Sequence, residues 1–96
     1  MKKLKKLLLK AVEGNDSFAY NNLGSLYLKQ KKYDKAKNFF LKSIEMGNIE
    51  RPALNLGKLF LELKDYPNAK KYYKMAADLG NEDAQEIYRE MLKNGY

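Results

Sequence analysis

The chain has 96 residues, of which 45% are hydrophobic, and its 19 lysine and arginine residues against 12 acidic ones give a formal net charge of +7. Cysteine and histidine are both absent, which excludes disulfides, thiolate metal sites and the two side chains that most often act as nucleophile and general base. No apolar run approaches the roughly 20 residues of a membrane-spanning helix. We therefore expect a protein that is not an enzyme and binds no cofactor.

Residues 1–13 place apolar side chains at helical spacing, with lysines mainly on the opposite side. A secretory signal would need an apolar core of at least ~7 residues, but Lys10 ends the leucine run 7–9. A basic amphipathic helix on a membrane surface is a second interpretation. We favour a third, in which this segment is a helix that packs on the residues after it. With neither an export signal nor a membrane span in the sequence, we expect a cytoplasmic protein.

Residues 15–47 recur as residues 48–80, with 11 identities in 33 aligned positions. The clearest match is the stretch 22–28, Asn-Leu-Gly-Ser-Leu-Tyr-Leu, which returns at 55–61 as Asn-Leu-Gly-Lys-Leu-Phe-Leu. A fixed offset of this size is the signature of a repeat architecture. Apolar residues within each copy fall at helical spacing on both sides of a polar break, so each copy is predicted to form two helices.

Residues typical of helix ends lie at the expected boundaries. Candidates for the helix starts are Asn15 or Asp16, Asp34 as cap of the second helix, Pro52, and Asp65 with Pro67. Gly47 and Gly80 suit the left-handed conformation that ends a helix.

Two glycines lie inside predicted helices, at the same position of each copy. Glycine costs roughly 1 kcal/mol against alanine in a helix, so a shared glycine indicates close helix packing. We expect Gly24 to lie against Ala36, and Gly57 against Ala69.

Residues 81–96 begin a third copy with one more amphipathic helix. Glu82, Glu86 and Glu90 lie one turn apart on its polar side and could hold a cation. We favour a solvated face, because no second segment supplies further ligands.

These copies resemble tetratricopeptide repeats, with features of the related Sel1-like repeats. The residues that carry the resemblance are Tyr20, Leu23, Gly24, Tyr27, Ala36, Phe40 and Ser43, and their counterparts Ala53, Leu56, Gly57, Phe60, Ala69, Tyr73 and Ala76. The resemblance implies an all-α solenoid of helix-turn-helix repeats, with about six antiparallel helices in a right-handed superhelical array. The single domain 1–96 would comprise a half-repeat (1–14), two repeats (15–47 and 48–80) and a capping helix (81–96).

The resemblance also implies a protein that binds a peptide or partner protein on the concave face, lined by the first helix of each repeat. The candidate binding residues are Phe18, Asn21, Asn22, Ser25, Arg51, Leu54, Asn55 and Lys58. Asn22 and Asn55 occupy the same position of the two copies and carry both a donor and an acceptor. We expect them to hold the main chain of an extended peptide.

Two other functions stay open. The net charge of +7 suits a binder of nucleic acid or anionic surfaces, but charge dominated by lysine lacks the forked contacts of arginine, and no base-stacking motif is present. The second of these functions is a structural role, because exposed repeat ends can stack on each other and form a homodimer.

Overall fold

A computed structural model of the protein describes residues 16–96, and within this range the chain forms helices and no strand. The five helices are α1 (Ser17–Lys29), α2 (Tyr33–Glu45), α3 (Glu50–Glu62), α4 (Tyr66–Asp78) and α5 (Glu82–Lys93). The prediction of an all-α helix-turn-helix repeat is confirmed, while the helix expected within residues 1–14 lies outside the described residues. None of these five helices is long and apolar enough to cross a membrane.

The chain divides into two compact units, with the boundary after Asn48. In the first unit α1 packs against α2, and in the second unit α4 packs against both α3 and α5. Helices that are consecutive in the sequence therefore pack together within each unit.

Three of the helices begin at a side chain that accepts a hydrogen bond from the first turn, which satisfies a backbone N–H that has no partner in the helix. Asp16 accepts from the N–H of Phe18 at 2.9 Å, which confirms one of the two predicted caps of α1. Asp65 caps α4 by accepting from the N–H of Asn68 at 3.3 Å, and Asn81 caps α5 by accepting from the N–H of Ala84 at 2.8 Å.

The predicted cap of α2 is wrong. The helix begins at Tyr33 with Lys32 at the cap position, no side chain there accepts a hydrogen bond, and Asp34 lies inside the first turn. The repeat register explains the difference, because Lys32 is the counterpart of the capping residue Asp65, whereas Asp34 is the counterpart of Pro67.

Each of the five helices in residues 16–96 ends in the same way, with one left-handed residue just beyond it. The N–H after that residue donates to a carbonyl five residues back, over 2.9–3.1 Å, as in the Schellman motif. Gly47 (φ +97°) and Gly80 (φ +94°) take this position as predicted. The sequence pattern did not indicate that Lys31 and Lys64 would take it too, with φ of 60° and 59°.

The helical glycines make room for aromatic rings. A Cβ on Gly24 would lie 2.6 Å from the ring of Phe40, and one on Gly57 would lie 2.8 Å from the ring of Tyr73. Both rings are almost fully buried, with exposed fractions of 0% and 1%. Close packing at these glycines was predicted. The nearest side chain in each case is the aromatic ring, which lies one helical turn after the alanine that was expected there.

A second aromatic contact joins the two helices of each repeat near their shared turn. Tyr27 stacks on Phe39 with centroids 5.5 Å apart and planes 7° from parallel. In the second unit Phe60 stacks on Tyr72 at 5.7 Å and 9°. The same geometry therefore occurs with tyrosine and phenylalanine exchanged.

Tyr73 lies within the core of the second unit, among Ala53, Leu54, Ala69, Ala76, Ala84 and Met91. Burial, together with the smaller effect of the Glu62 carboxylate, raises the pKa of Tyr73 from 10.0 to about 12. The folded protein therefore holds this proton more tightly than the unfolded chain does.

We predict that Gly57→Ala destabilises the protein by about 1–2 kcal/mol, because the crowding of an overpacked core outweighs the gain in helix propensity. Chemical denaturation measures the change. In a Tyr73→Leu background the ring is gone, and the same substitution should become neutral or stabilising. A stabilising effect in the presence of the ring would contradict the packing described here.

We also predict that the protein loses stability relative to a Tyr73→Phe variant as the pH rises from 10 to about 12. Below pH 10 Tyr73 is protonated in both the folded and the unfolded state, so its contribution to stability does not change with pH. Between pH 10 and about 12 the unfolded chain loses this proton while the folded protein keeps it, and unfolding becomes more favourable. The loss should be roughly 2 kcal/mol by about pH 12, because a tenfold difference in proton affinity between the folded and unfolded states corresponds to about 1.4 kcal/mol. Phenylalanine fits this register, as Phe40 shows, so denaturation curves of both proteins can be compared at each pH. Parallel stability profiles would contradict the prediction.

Candidate functional site

The first helix of each unit is buried around more than half of its circumference. Five of the six buried positions coincide in the repeat register: Ala19, Asn21, Leu23, Gly24 and Leu26 in α1, and Pro52, Leu54, Leu56, Gly57 and Leu59 in α3. Among the remaining side chains, one narrow band runs along each helix at spacings of four, three and four residues. We call these bands the α1 stripe (Phe18, Asn22, Ser25, Lys29) and the α3 stripe (Arg51, Asn55, Lys58, Glu62).

Most of the predicted binding residues lie on these two stripes. Phe18, Asn22, Arg51 and Lys58 are exposed, while Ser25 and Asn55 are half-buried. Phe18 is 65% exposed, the largest fraction among the exposed apolar residues of the described range.

Asn21 and Leu54 were expected to be exposed as well, and this expectation is wrong. Their exposed fractions are 9% and 3%, and they occupy the same register position. One residue along a helix turns the side chain by about 100°, which moves these two off the stripe and onto the buried side. Leu54 belongs to the core of the second unit.

The start of the α1 stripe is fixed by two hydrogen bonds. Asp16 holds the backbone of Phe18 through its cap. The hydroxyl of Ser43, a fully buried residue of α2, donates to the carbonyl of Ser17 over 2.8 Å. The first turn of α1 is thereby tied to its partner helix. The register equivalent of Ser43 is Ala76, which makes no such bond.

Asn48 and Asn81 share a register position but differ in their bonding. The side chain of Asn81 caps α5, whereas the buried side-chain nitrogen of Asn48 has no hydrogen-bond partner. The difference follows from the helix starts, because α5 begins at Glu82, directly after Asn81, and α3 begins at Glu50, two residues after Asn48.

The carboxylate row of α5 lies along a shallow surface depression lined by Glu82, Gln85, Glu86, Arg89 and Glu90. Arg89 thus adds a positive charge to the lining that the three glutamates form. Within residues 16–96, no group of three or more acidic side chains is placed to hold a metal ion.

Two family models of the tetratricopeptide repeat match the chain, one over residues 17–46 and one over residues 51–83, which together cover more than half of its length. The chain belongs to the tetratricopeptide repeat family. A comparison with curated proteins gives no match. Tetratricopeptide repeats generally mediate protein–protein interactions, and proteins built from them are typically non-catalytic scaffolds.

We predict that Ser43→Ala lowers the free energy of unfolding by about 1 kcal/mol, the usual net contribution of one hydrogen bond. Alanine fits this register, as Ala76 shows, so packing should be kept and the loss should come from the bond to Ser17. Thermal and chemical denaturation measure the change. A loss above about 3 kcal/mol would instead indicate a packing defect.

Proposed function

We propose that this protein is a non-catalytic interaction module that binds an extended peptide segment of a partner protein on the exposed stripes of its first helices. The family supports the general activity, since its repeats mediate protein–protein interactions. We choose this surface because the α1 stripe and the α3 stripe occupy equivalent positions of the repeat in two units that pack separately.

Asparagine at the second position of both stripes supports an extended peptide as the ligand. A side-chain amide donates and accepts at once, and can therefore pair with a peptide group of a bound main chain. Asn22 is exposed, and we propose it as the primary contact. Asn55 is half-buried and already has an interaction within the protein, so its amide would support the peptide less directly.

The other stripe residues would add side-chain contacts. Phe18 offers an apolar surface, and the cations Lys29, Arg51 and Lys58 favour a segment that carries carboxylates. One concave surface shared by the two units, and a homodimer through the repeat ends, stay predictions.

The test uses a peptide selected from a displayed random library against the purified protein. For that peptide we predict a roughly tenfold weaker affinity with Asn22→Ala, because two hydrogen bonds of ordinary net strength are lost. The matched control is Asn38→Ala, which removes an exposed asparagine of α2. Isothermal titration calorimetry measures the affinities.

The melting temperature should hardly change in either variant, because both side chains are exposed. Equal affinities of the two variants would contradict the proposed surface. A large loss of stability with Asn22→Ala would instead assign that asparagine a structural role.

A further inference from the structure

The net charge of the protein lies entirely in its first half. Residues 1–48 contain eleven lysines and four acidic residues, whereas residues 49–96 contain eight basic and eight acidic ones. Two copies of one repeat therefore differ in charge although they share a fold.

Within the described residues, the difference is concentrated where α1 turns into α2. We call residues 29–37 the basic turn. It holds Lys29, Lys31, Lys32, Lys35 and Lys37 with a single acidic residue, while the equivalent residues 62–70 hold two lysines and two acidic residues. The first four of these lysines are exposed. Of these four positions the second unit keeps a lysine only at Lys64. It makes the same turn, so the fold does not require the charge of Lys29, Lys32 and Lys35.

One of these lysines, Lys32, occupies a position that lysine does not favour. Lys32 is at the cap position of α2, where the second unit has the capping carboxylate of Asp65. A cation there also faces the positive end of the helix dipole. Lys31 has φ of 60°, but its counterpart Lys64 has φ of 59°, so a left-handed lysine is common to both turns and does not explain their difference in charge. The first unit thus has a cation at Lys32, where the second unit has a carboxylate that stabilises the helix.

The rings at the basic turn favour a protein ligand over a nucleic acid. The ammonium groups of Lys32 and Lys35 lie 5.9 and 5.5 Å from the centroid of Tyr27. That ring also stacks on Phe39 and is 6% exposed, so it offers no free face on which a base could stack. No arginine occurs before Arg51, and the forked contacts that arginine makes with phosphate are therefore missing.

We propose that the basic turn is a second binding surface, which shares only Lys29 with the α1 stripe and takes an acidic segment of a partner protein rich in aspartate and glutamate. The lysine ammonium groups would pair with its carboxylates. This inference does not depend on the peptide surface proposed for the first helices, because it concerns one turn of the first unit.

The experiment measures the anisotropy of a labelled peptide of alternating glutamate and serine with the full chain at about 50 mM salt, where surface charges are only partly screened. The variant Lys31→Glu/Lys32→Glu/Lys35→Glu should bind this peptide roughly tenfold more weakly or worse, since three exposed charge contacts are reversed. The control Lys64→Glu/Lys71→Glu/Lys74→Glu has the same net charge and should lose less than about threefold, as long-range attraction alone is reduced.

A single variant separates binding from folding. Lys32→Asp copies the cap that Asp65 provides in the second unit, so we expect a higher melting temperature together with weaker peptide binding. Asn38→Ala, which changes an exposed residue outside both proposed surfaces, should leave binding of the acidic peptide unchanged.

Equal losses in the two triple variants would overturn the proposal, because they would show diffuse attraction instead of a site. The proposal would also be overturned if a single-stranded oligonucleotide of equal charge bound more tightly than the acidic peptide, and if that binding also depended on Lys31, Lys32 and Lys35. An unchanged affinity for the acidic peptide in Lys32→Asp would assign that lysine no part in binding.

Discussion

The packing of each repeat depends on one missing atom. Without a Cβ at Gly24 or Gly57, the ring of Phe40 or Tyr73 lies directly against the backbone of the neighbouring helix. This brings the first and second helices of a repeat close together, and the other contacts of the pair follow from that distance. The stacks Tyr27–Phe39 and Phe60–Tyr72 have nearly the same geometry because the two helix pairs are held in the same way. The orientation of the first helix then decides which of its side chains reach solvent.

Much of the fold could be predicted because the same pattern occurs twice in the sequence. Positions shared at an offset of 33 indicated the helix pairs, the role of the helical glycines, and the left-handed Gly47 and Gly80. The wrong cap at Asp34 came from reading the first copy alone, since the register places Lys32 opposite the true cap Asp65. Left-handed lysines could not be foreseen, because at this position the whole hydrogen-bonded helix end overrides the weak preference of a single residue.

The candidate site was predictable at the level of the helix and less so at the level of the residue. The sequence identified the first helices, and six of its eight candidate side chains reach or partly reach solvent. The prediction was wrong at Asn21 and Leu54 because these positions lie at the edge of the buried side of each helix. The exposure of a side chain there depends on how the helices pack, which the spacing of apolar residues does not show. The paired asparagines and the lysine-rich stretch 29–37 could both be found from the sequence. Only the folded copies show that the second unit makes the same turn with less positive charge.

Within each of the two units of residues 16–96, the helices that pack together are neighbours in the sequence, α1 with α2 and α4 with α3 and α5. Contacts of this kind close short loops, and the loss of chain entropy before each contact forms is small. Proteins dominated by such local contacts fold in microseconds to milliseconds. Each helix pair can therefore form early and without waiting for distant parts of the chain, which limits the time during which the apolar sides of the helices are open to aggregation.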